Sequence, residues 1–160
     1  MPVVGYLSPR SPKTDASVLA AFRQGLSESG YIEGNKLRWG DGRYDVLPEL
    51  AADLVRRRVS VIATGGGTPP ALAAKAATTT IPVLFVTAGD PVQEGLVASL
   101  SRPGGNVTGV GTFYYSFGPK QLGLMRDLLP NTDLFALLID PHMASAELQA
   151  VETEAAGRAT

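Results

Sequence analysis

Val59-Ser60-Val61-Ile62-Ala63-Thr64-Gly65-Gly66-Gly67-Thr68-Pro69-Pro70 decides how this chain is read. A short apolar run leads into three glycines, and an alanine-rich helical run, residues 71–78, follows. The order is strand, glycine turn, helix. Glycine admits positive φ and lets a ligand approach the backbone. Proline just inside a helix start costs little, because first-turn N–H groups have no intrahelical partner. The product is a helix N-terminus whose N–H groups can hold an anion. The turn lacks the Gly-Lys-Ser/Thr ending of a phosphate loop, the next lysine being Lys75, and Pro70 breaks the G-x-G-x-x-G spacing. It therefore predicts an anion site rather than an obvious nucleotide site. The same turn also serves as a plain connection in doubly wound sheets.

The pattern repeats on both sides of this unit. Val3-Val4-Gly5-Tyr6-Leu7-Ser8 reads as a buried strand, residues 14–29 as a helix capped by Thr14 or Asp15 and stopped by Gly30, and residues 36–39 as a short strand. Residues 47–57 read as a second helix, 59–63 as the third strand and 70–77 as the third helix. Residues 81–87 are the fourth strand, with Pro82 at its start, where proline is tolerated. A short helix is expected at 93–100, a fifth strand at 107–113, a helix at 118–129, a buried strand at 134–139 and a helix from 144 onward. Strands alternating with helices imply α/β architecture, a doubly wound parallel sheet with helices on both faces. Ligands of such sheets bind beyond the carboxyl ends of the strands. Those ends carry Ser8, the turn at 65–68, Thr87-Ala88-Gly89-Asp90, and Thr112 to Tyr115.

With 160 residues, 44% of them hydrophobic, the chain can build one compact domain, or one lobe and part of another. A net charge of −1 and scattered basic residues give no field for nucleic acid. Arg56-Arg57-Arg58 ends a helix and complements its dipole. Apolar runs fall well short of the ~20 residues that span a bilayer. Without cysteine there is no disulfide or thiol chemistry. His142 is the single histidine, and no compact carboxylate cluster joins it, so neither a metal nor a cofactor is expected. Glu28, Glu33, Glu49 and Asp53 form no acid/base pair, and no serine sits in a G-x-S-x-G elbow, so no catalytic residue is assigned. Trp39 on the edge strand and Met125 on a helix face are expected to pack.

Five segments stand in an order that resembles the ABC-transporter substrate-binding proteins typified by tryptophan-binding lipoproteins. They are Val4-Gly5-Tyr6-Leu7-Ser8, Ala21-Phe22-Arg23-Gln24-Gly25-Leu26, Tyr44-Asp45-Val46-Leu47-Pro48-Glu49-Leu50-Ala51, Ile81-Pro82-Val83-Leu84-Phe85 with Asp90-Pro91, and Arg102-Pro103-Gly104-Gly105-Asn106-Val107-Thr108-Gly109-Val110. The last is the most specific. The resemblance implies a type I periplasmic-binding-protein lobe at residues 1–112, a hinge crossing at 113–117, and an incomplete second α/β lobe at 118–160. Against the family pattern, an export signal and most of the second lobe are missing, and the second strand is a few residues shorter between Gly34 and Arg38; that strand is expected at a sheet edge, so the fold should survive.

In that family a small ligand, often an amino acid, is clasped between the lobes. The resemblance thus implies a solute-binding component of an ABC importer, periplasmic or lipid-anchored at the outer face of the inner membrane. Its partners would be a small-molecule ligand and a membrane permease, with no nucleic acid. An α-amino acid needs an acceptor for its ammonium, for which Asp90 is suited. Its carboxylate needs donors, and the N–H groups of Gly66, Gly67 and Thr68 with the Thr68 hydroxyl are suited. Ser8 and Thr87 offer hydroxyls, while Phe113, Tyr114 and Tyr115 offer aromatic faces. Each has a plainer role: Asp90 capping the next turn, Thr87 and Ser8 tying loops, the aromatics packing the hinge. The alternative function is a small doubly wound enzyme binding an anionic or nucleotide substrate at 65–68. A sugar-repressor-like sensor is a third, with no helix-turn-helix ahead of Val3 to support it. Leu122, Leu134, Leu137 and Leu138 would be short of partners in an unfinished lobe, so self-association or disorder is expected beyond Gly118.

Overall fold

The computed structural model describes residues 3–30, 36–113, 117–132 and 134–138, with Ala150, Val151 and Glu154. The elements run β1 (Val4–Ser8), α1 (Ala16–Glu28), β2 (Lys36–Trp39), α2 (Leu47–Arg56), β3 (Val61–Thr64), α3 (Thr68–Ala77), β4 (Val83–Thr87), β5 (Val107–Gly111) and α4 (Gly118–Leu128). All five strands are parallel, in the order β2-β1-β3-β4-β5. The expected doubly wound α/β sheet is present, with β2 at an edge. The chain winds outward from β1 to β2 and then returns to the other side of β1 as β3. The order therefore reverses between β1 and β3, where a crevice opens beyond the strand ends.

Strand side chains alternate between faces. Leu7, Ile62, Val83 and Phe85 point to one face and pack against Leu47, Ala51 and Leu54 of α2 and Ala71 and Ala74 of α3. Tyr6 and Ala63 point to the other, where Leu19 and the half-buried Phe22 of α1 cover them. Tyr6 also stacks at 5.5 Å on Trp39, which packs as expected. On β4 and β5 this second face carries Leu84, Val86 and Val110, all exposed. Gly109 of β5 is needed for space, since a Cβ there would stand 2.2 Å from the Phe85 carbonyl oxygen.

Three expectations are corrected. Residues 93–100 form turns rather than a helix. The Glu94 N–H bonds the Asp90 carbonyl as in a helix, but Gly95 turns left-handed at φ 72°, and the Leu96 and Val97 N–H groups both return to the Pro91 carbonyl. Leu96 and Val97 then drop into the core, so their apolar spacing reflects burial and not helical winding. Residues 134–138 are irregular rather than a buried strand, with Leu134 85% and Leu138 99% exposed. A strand needs a neighbour for its ladder, and none of the described residues pairs with this segment; Ile139 lies outside them. Met125, expected in a core, is exposed, as are Leu124 and Leu128, because α4 buries Gly118 alone. Leu122 is half-buried. Of the helix expected from 144 onward, Ala150, Val151 and Glu154 are described and helical.

Asp53 of α2 ties the edge strand down. Its carboxylate accepts from Arg38 of β2, from Arg57 at 2.7 Å and from Arg56 at 3.3 Å. The arginine row thus serves an ion-pair cluster besides facing the helix end. Hydrogen bonds from Arg57 and Arg38 lower the Asp53 carboxyl to about 2 from its ordinary 3.8. Its folded value lies below its unfolded value, so its contribution is present above pH 3.8 and lost as pH falls toward 2. The Asp53→Asn variant should show a flatter stability curve across that window, measured by denaturant midpoints at successive pH values. Leu54→Ala should cost about 2–5 kcal/mol, because the side chain is fully buried between sheet and helices. Val110→Thr on the open face should stay within about 0.5 kcal/mol, which urea unfolding would measure alongside it.

Candidate ligand-binding cleft

The glycine turn between β3 and α3 is shaped by two different demands. At Gly65 the demand is space: a Cβ there would lie 2.0 Å from the Tyr6 hydroxyl. At Gly66 and Gly67 it is conformation, with φ at 82° and 98°, values that side chains disfavour. Gly67 is the N-cap residue of α3, and the helix opens Thr68-Pro69-Pro70. The two prolines have no N–H, so the donors at this helix end are few and come from the turn and from Thr68.

The loop after β1 packs directly on this turn. A Cβ at Gly66 would meet Pro9 Cδ at 2.8 Å and Ser8 Oγ at 3.3 Å. Asp15 occupies the N-cap position of α1, as expected, but its carboxylate makes no cap bond. It turns inward instead and is 1% exposed. Its Oδ2 accepts from Ser8 Oγ at 2.6 Å and from the Tyr6 hydroxyl at 3.4 Å, and its Oδ1 accepts from Arg10 Nη1 at 3.2 Å. Burial and the Asp15 charge push the Tyr6 phenol up to about 12.

The end of β4 is tied by a directed chain of hydroxyls. Thr87 Oγ1 donates to Glu94 Oε2 at 2.7 Å and accepts the Gly89 N–H at 3.2 Å. Thr87 has a single proton, already given to Glu94, so in the 2.9 Å contact with Thr68 the Thr68 hydroxyl is the donor. The Thr68 proton therefore points into the protein, and what Thr68 can offer a ligand as donor is its backbone N–H. Glu94 Oε1 is buried with no partner among the described residues and lies where a Cβ on Gly89 would go.

A cleft of about 490 Å³ opens at this edge of the sheet. Its floor is the α1-side sheet face: Tyr6, Ala63, Leu84 and Val86, flanked by Val18 and Phe22. Its rim is polar and tight-turning: Arg10, Tyr44, Gly65, Gly66, Gly67, Thr87, Ala88 and Thr112. Of the expected site residues, Gly66, Gly67 and Thr87 line it. Ser8 and Thr68 sit directly behind it, fully buried and hydrogen-bonded. Asp90 is half-buried, is not among the lining residues, and accepts the Val92 N–H at 2.8 Å, the plainer role foreseen for it. Phe113, at φ 54°, follows the lining residue Thr112 and is not itself in the lining. Tyr114 and Tyr115 lie outside the described residues, as does His142. Among the described residues no group of three or more His, Asp or Glu comes together to hold a metal.

The sequence reading missed Arg10, Tyr6 and Asp15. Asp15 reads as a cap, and nothing in its neighbourhood signals a buried acid. Arg10 lay in a loop defined by its prolines. Tyr6 had one available signal, alternation with the core-facing Leu7.

The model of the family described as ABC transporter substrate binding protein matches residues 12–158. The chain belongs to that family. It is 31% identical over 132 residues to a tyrosine-binding protein of Clostridioides difficile (strain R20291), a match covering 80% of this chain and 37% of that protein. An ABC domain from Streptococcus pneumonia, solved in complex with L-Trp, superposes with a TM-score of 0.83 at 24% identity, covering 99% of this chain and 54% of the other. A conserved domain protein from Vibrio cholerae O1 biovar eltor superposes with the same TM-score at 26% identity, over 97% of this chain and 53% of its own. This family member thus spans about half the length of the solved structures it matches, and a smaller share of the curated relative.

The raised Tyr6 phenol is a test of the buried network. Its folded value of about 12 exceeds the ordinary 10.0, so the stability it contributes is present below pH 10 and lost as pH rises toward 12. In an ultraviolet phenolate titration Tyr6, identified by difference against Tyr6→Phe, should ionise at about 12 rather than at the ordinary 10.0. Asp15→Asn should bring its midpoint down, since the Asp15 charge and hydrogen bond both raise it.

Proposed function

We propose that residues 1–112 are the N-terminal ligand-binding lobe of a two-lobed solute receptor of an ABC importer. Residues 113–117 would cross to the second lobe and 118–160 would begin it. The observation that carries this reading is the cleft itself. It sits at the topological switch point, has an apolar floor and a polar rim, and leaves Leu84 and Val86 exposed, which supports a surface for a second lobe to close on. The ligand proposed is an amino acid with an apolar or aromatic side chain, a choice supported by the name of the tyrosine-binding relative.

In this reading the ligand carboxylate sits at the N–H groups of Gly66, Gly67 and Thr68, aided by the positive end of the α3 dipole. The side chain lies on the floor, where Tyr6 and Phe22 offer aromatic surface and Leu84 and Val86 aliphatic surface. Thr87 lines the cleft with its hydroxyl already satisfied, so it supplies shape. Ser8 and Asp90 hold the loops behind the rim. Ligand would favour the closed arrangement of the two lobes, and the permease would read that shift in population. The receptor would work outside the cytoplasmic membrane, in the periplasm or on a lipid anchor, and would perform no covalent chemistry.

Amide NMR of the chain titrated with L-tyrosine and L-tryptophan tests this. One lobe alone should bind weakly, with Kd near 1 mM, about 4 kcal/mol. Shifts should cluster at Gly66, Gly67, Thr68, Ala88 and Thr112. Dispersed spectra that move with no amino acid would exclude amino acids as the class of ligand held by this lobe.

A further inference from the structure

Arg10 is the one charged side chain among the described residues that line the cleft. Its position is not accidental to a mobile loop. The Arg10 N–H donates to Ser8 Oγ at 3.2 Å, and the Arg10 carbonyl accepts the Asp41 N–H at 3.3 Å. Its guanidinium is anchored at Nη1 by Asp15, whose second oxygen is held by Ser8 and Tyr6. Asp15 is thus a buried acid with no freedom to turn into the cleft. Guanidinium carries five N–H donors, so the anchor leaves others to face a ligand. The Arg10 side chain is 54% exposed.

Asp15 already pairs with Arg10 from behind, and no carboxylate is among the described residues that line the cleft. Asp90 is not in the lining, and its Oδ1 takes the Val92 N–H. Glu94 is buried beneath Gly89. Asp41 borders a separate shallow hollow that Arg10 also lines. Arg10 follows β1, and the glycine turn follows β3. These are the two strands between which the sheet order reverses, and the two loops are in van der Waals contact at Pro9 and Gly66. A side-chain cation and a set of backbone N–H groups are therefore set side by side, over an apolar floor.

We propose that Arg10 selects the ligand's anionic group, with Asp15 as its positioning residue. This lobe then recognises a carboxylate on an apolar body and does not read the ammonium of an amino acid. The inference deepens the receptor reading above and rests on it. An aryl-substituted carboxylic acid lacking the amine is accordingly as good a ligand for this lobe as the amino acid.

The test uses three probes that differ in one group each: L-tyrosine, 3-(4-hydroxyphenyl)propionate without the amine, and tyramine without the carboxylate. The chain is titrated with each while amide shifts at Gly66, Gly67 and Thr68 are followed. The two acids should bind within about threefold of each other, and tyramine should not bind measurably, since the charge-assisted hydrogen bond is made to the carboxylate. Arg10→Gln should weaken both acids about tenfold or more, and Arg10→Lys should recover part of the loss. Asp15→Asn should weaken the acids while Arg10→Gln in the same background adds little, a non-additivity that a merely structural role would not give. Dispersed spectra will show that each variant is folded. If tyramine matches tyrosine, or if folded Arg10→Gln binds both acids as the parent does, the assignment to Arg10 is overturned while the receptor reading stands. If the parent chain binds none of the three probes, the tyrosine-like receptor reading itself falls, and this inference falls with it.

Discussion

The approach of the Tyr6 hydroxyl to Gly65 governs the arrangement of the cleft. Tyr6 points to the α1 side of the sheet, and its ring fills the space between Phe22 and Trp39. The hydroxyl end of that ring then occupies the volume a side chain at position 65 would need. With no side chain there, β3 can end against β1 and turn at once. Gly66 and Gly67 supply the left-handed backbone that brings α3 back over the sheet. The same hydroxyl reaches Asp15, which draws in Ser8 and Arg10. One aromatic ring thus couples the packing of α1 to the placement of the two loops that frame the crevice.

Much of this arrangement was legible beforehand. The glycine run, the helical spacing of Val18, Leu19, Phe22 and Leu26, and the apolar run of β4 were enough for a parallel α/β sheet with loops converging beyond the strand ends. Asp15 was not legible, because its choice lay between local and distant partners. A carboxylate at an N-cap position normally accepts from the following turn. Here two hydroxyls and a guanidinium from the preceding strand and loop donate to it instead, in a buried setting. Residues 93–100 misled for the reverse reason: Leu96 and Val97 are apolar because they fill the core, and Gly95 breaks the winding that their spacing suggested. Burial and periodicity are different causes of the same pattern, and a short segment does not separate them.

The polar groups behind the cleft divide their work from those in front of it. Thr68, Thr87 and Glu94 form a chain whose proton direction is fixed by the single proton of each hydroxyl. That chain joins the start of α3 to the end of β4 and the turn beyond, and it uses up the hydroxyls that look most suited to a ligand. Glu94 Oε1 has no partner among the described residues, and leaving such an oxygen buried and unpaired costs on the order of 1–3 kcal/mol. In the proposed receptor, the N–H groups of Gly66, Gly67 and Thr68 and the Arg10 guanidinium would remain as the donors for a ligand. Hydrogen bonds behind such a rim would reduce what a ligand must lose in ordering it.

The two faces of the sheet are unequal, and the inequality has a functional sense. α2 and α3 close one face and make it the stable core. On the other, α1 covers Tyr6 and Ala63, while Leu84, Val86 and Val110 stay open. A ligand resting on such a floor would bury one side only, whereas small-molecule sites commonly enclose about 70–90% of their ligand. In the proposed two-lobed receptor, the remaining contacts would come from a second surface. Under that proposal a single lobe would bind weakly by itself, and its affinity would rise when a second surface closed over the ligand. Any conformational change driven by the ligand is limited by that difference in affinity between open and closed states. In the proposed receptor the open face of β4 and the donors of the rim would be two parts of one requirement: recognition on one side, and free energy reserved for closure on the other.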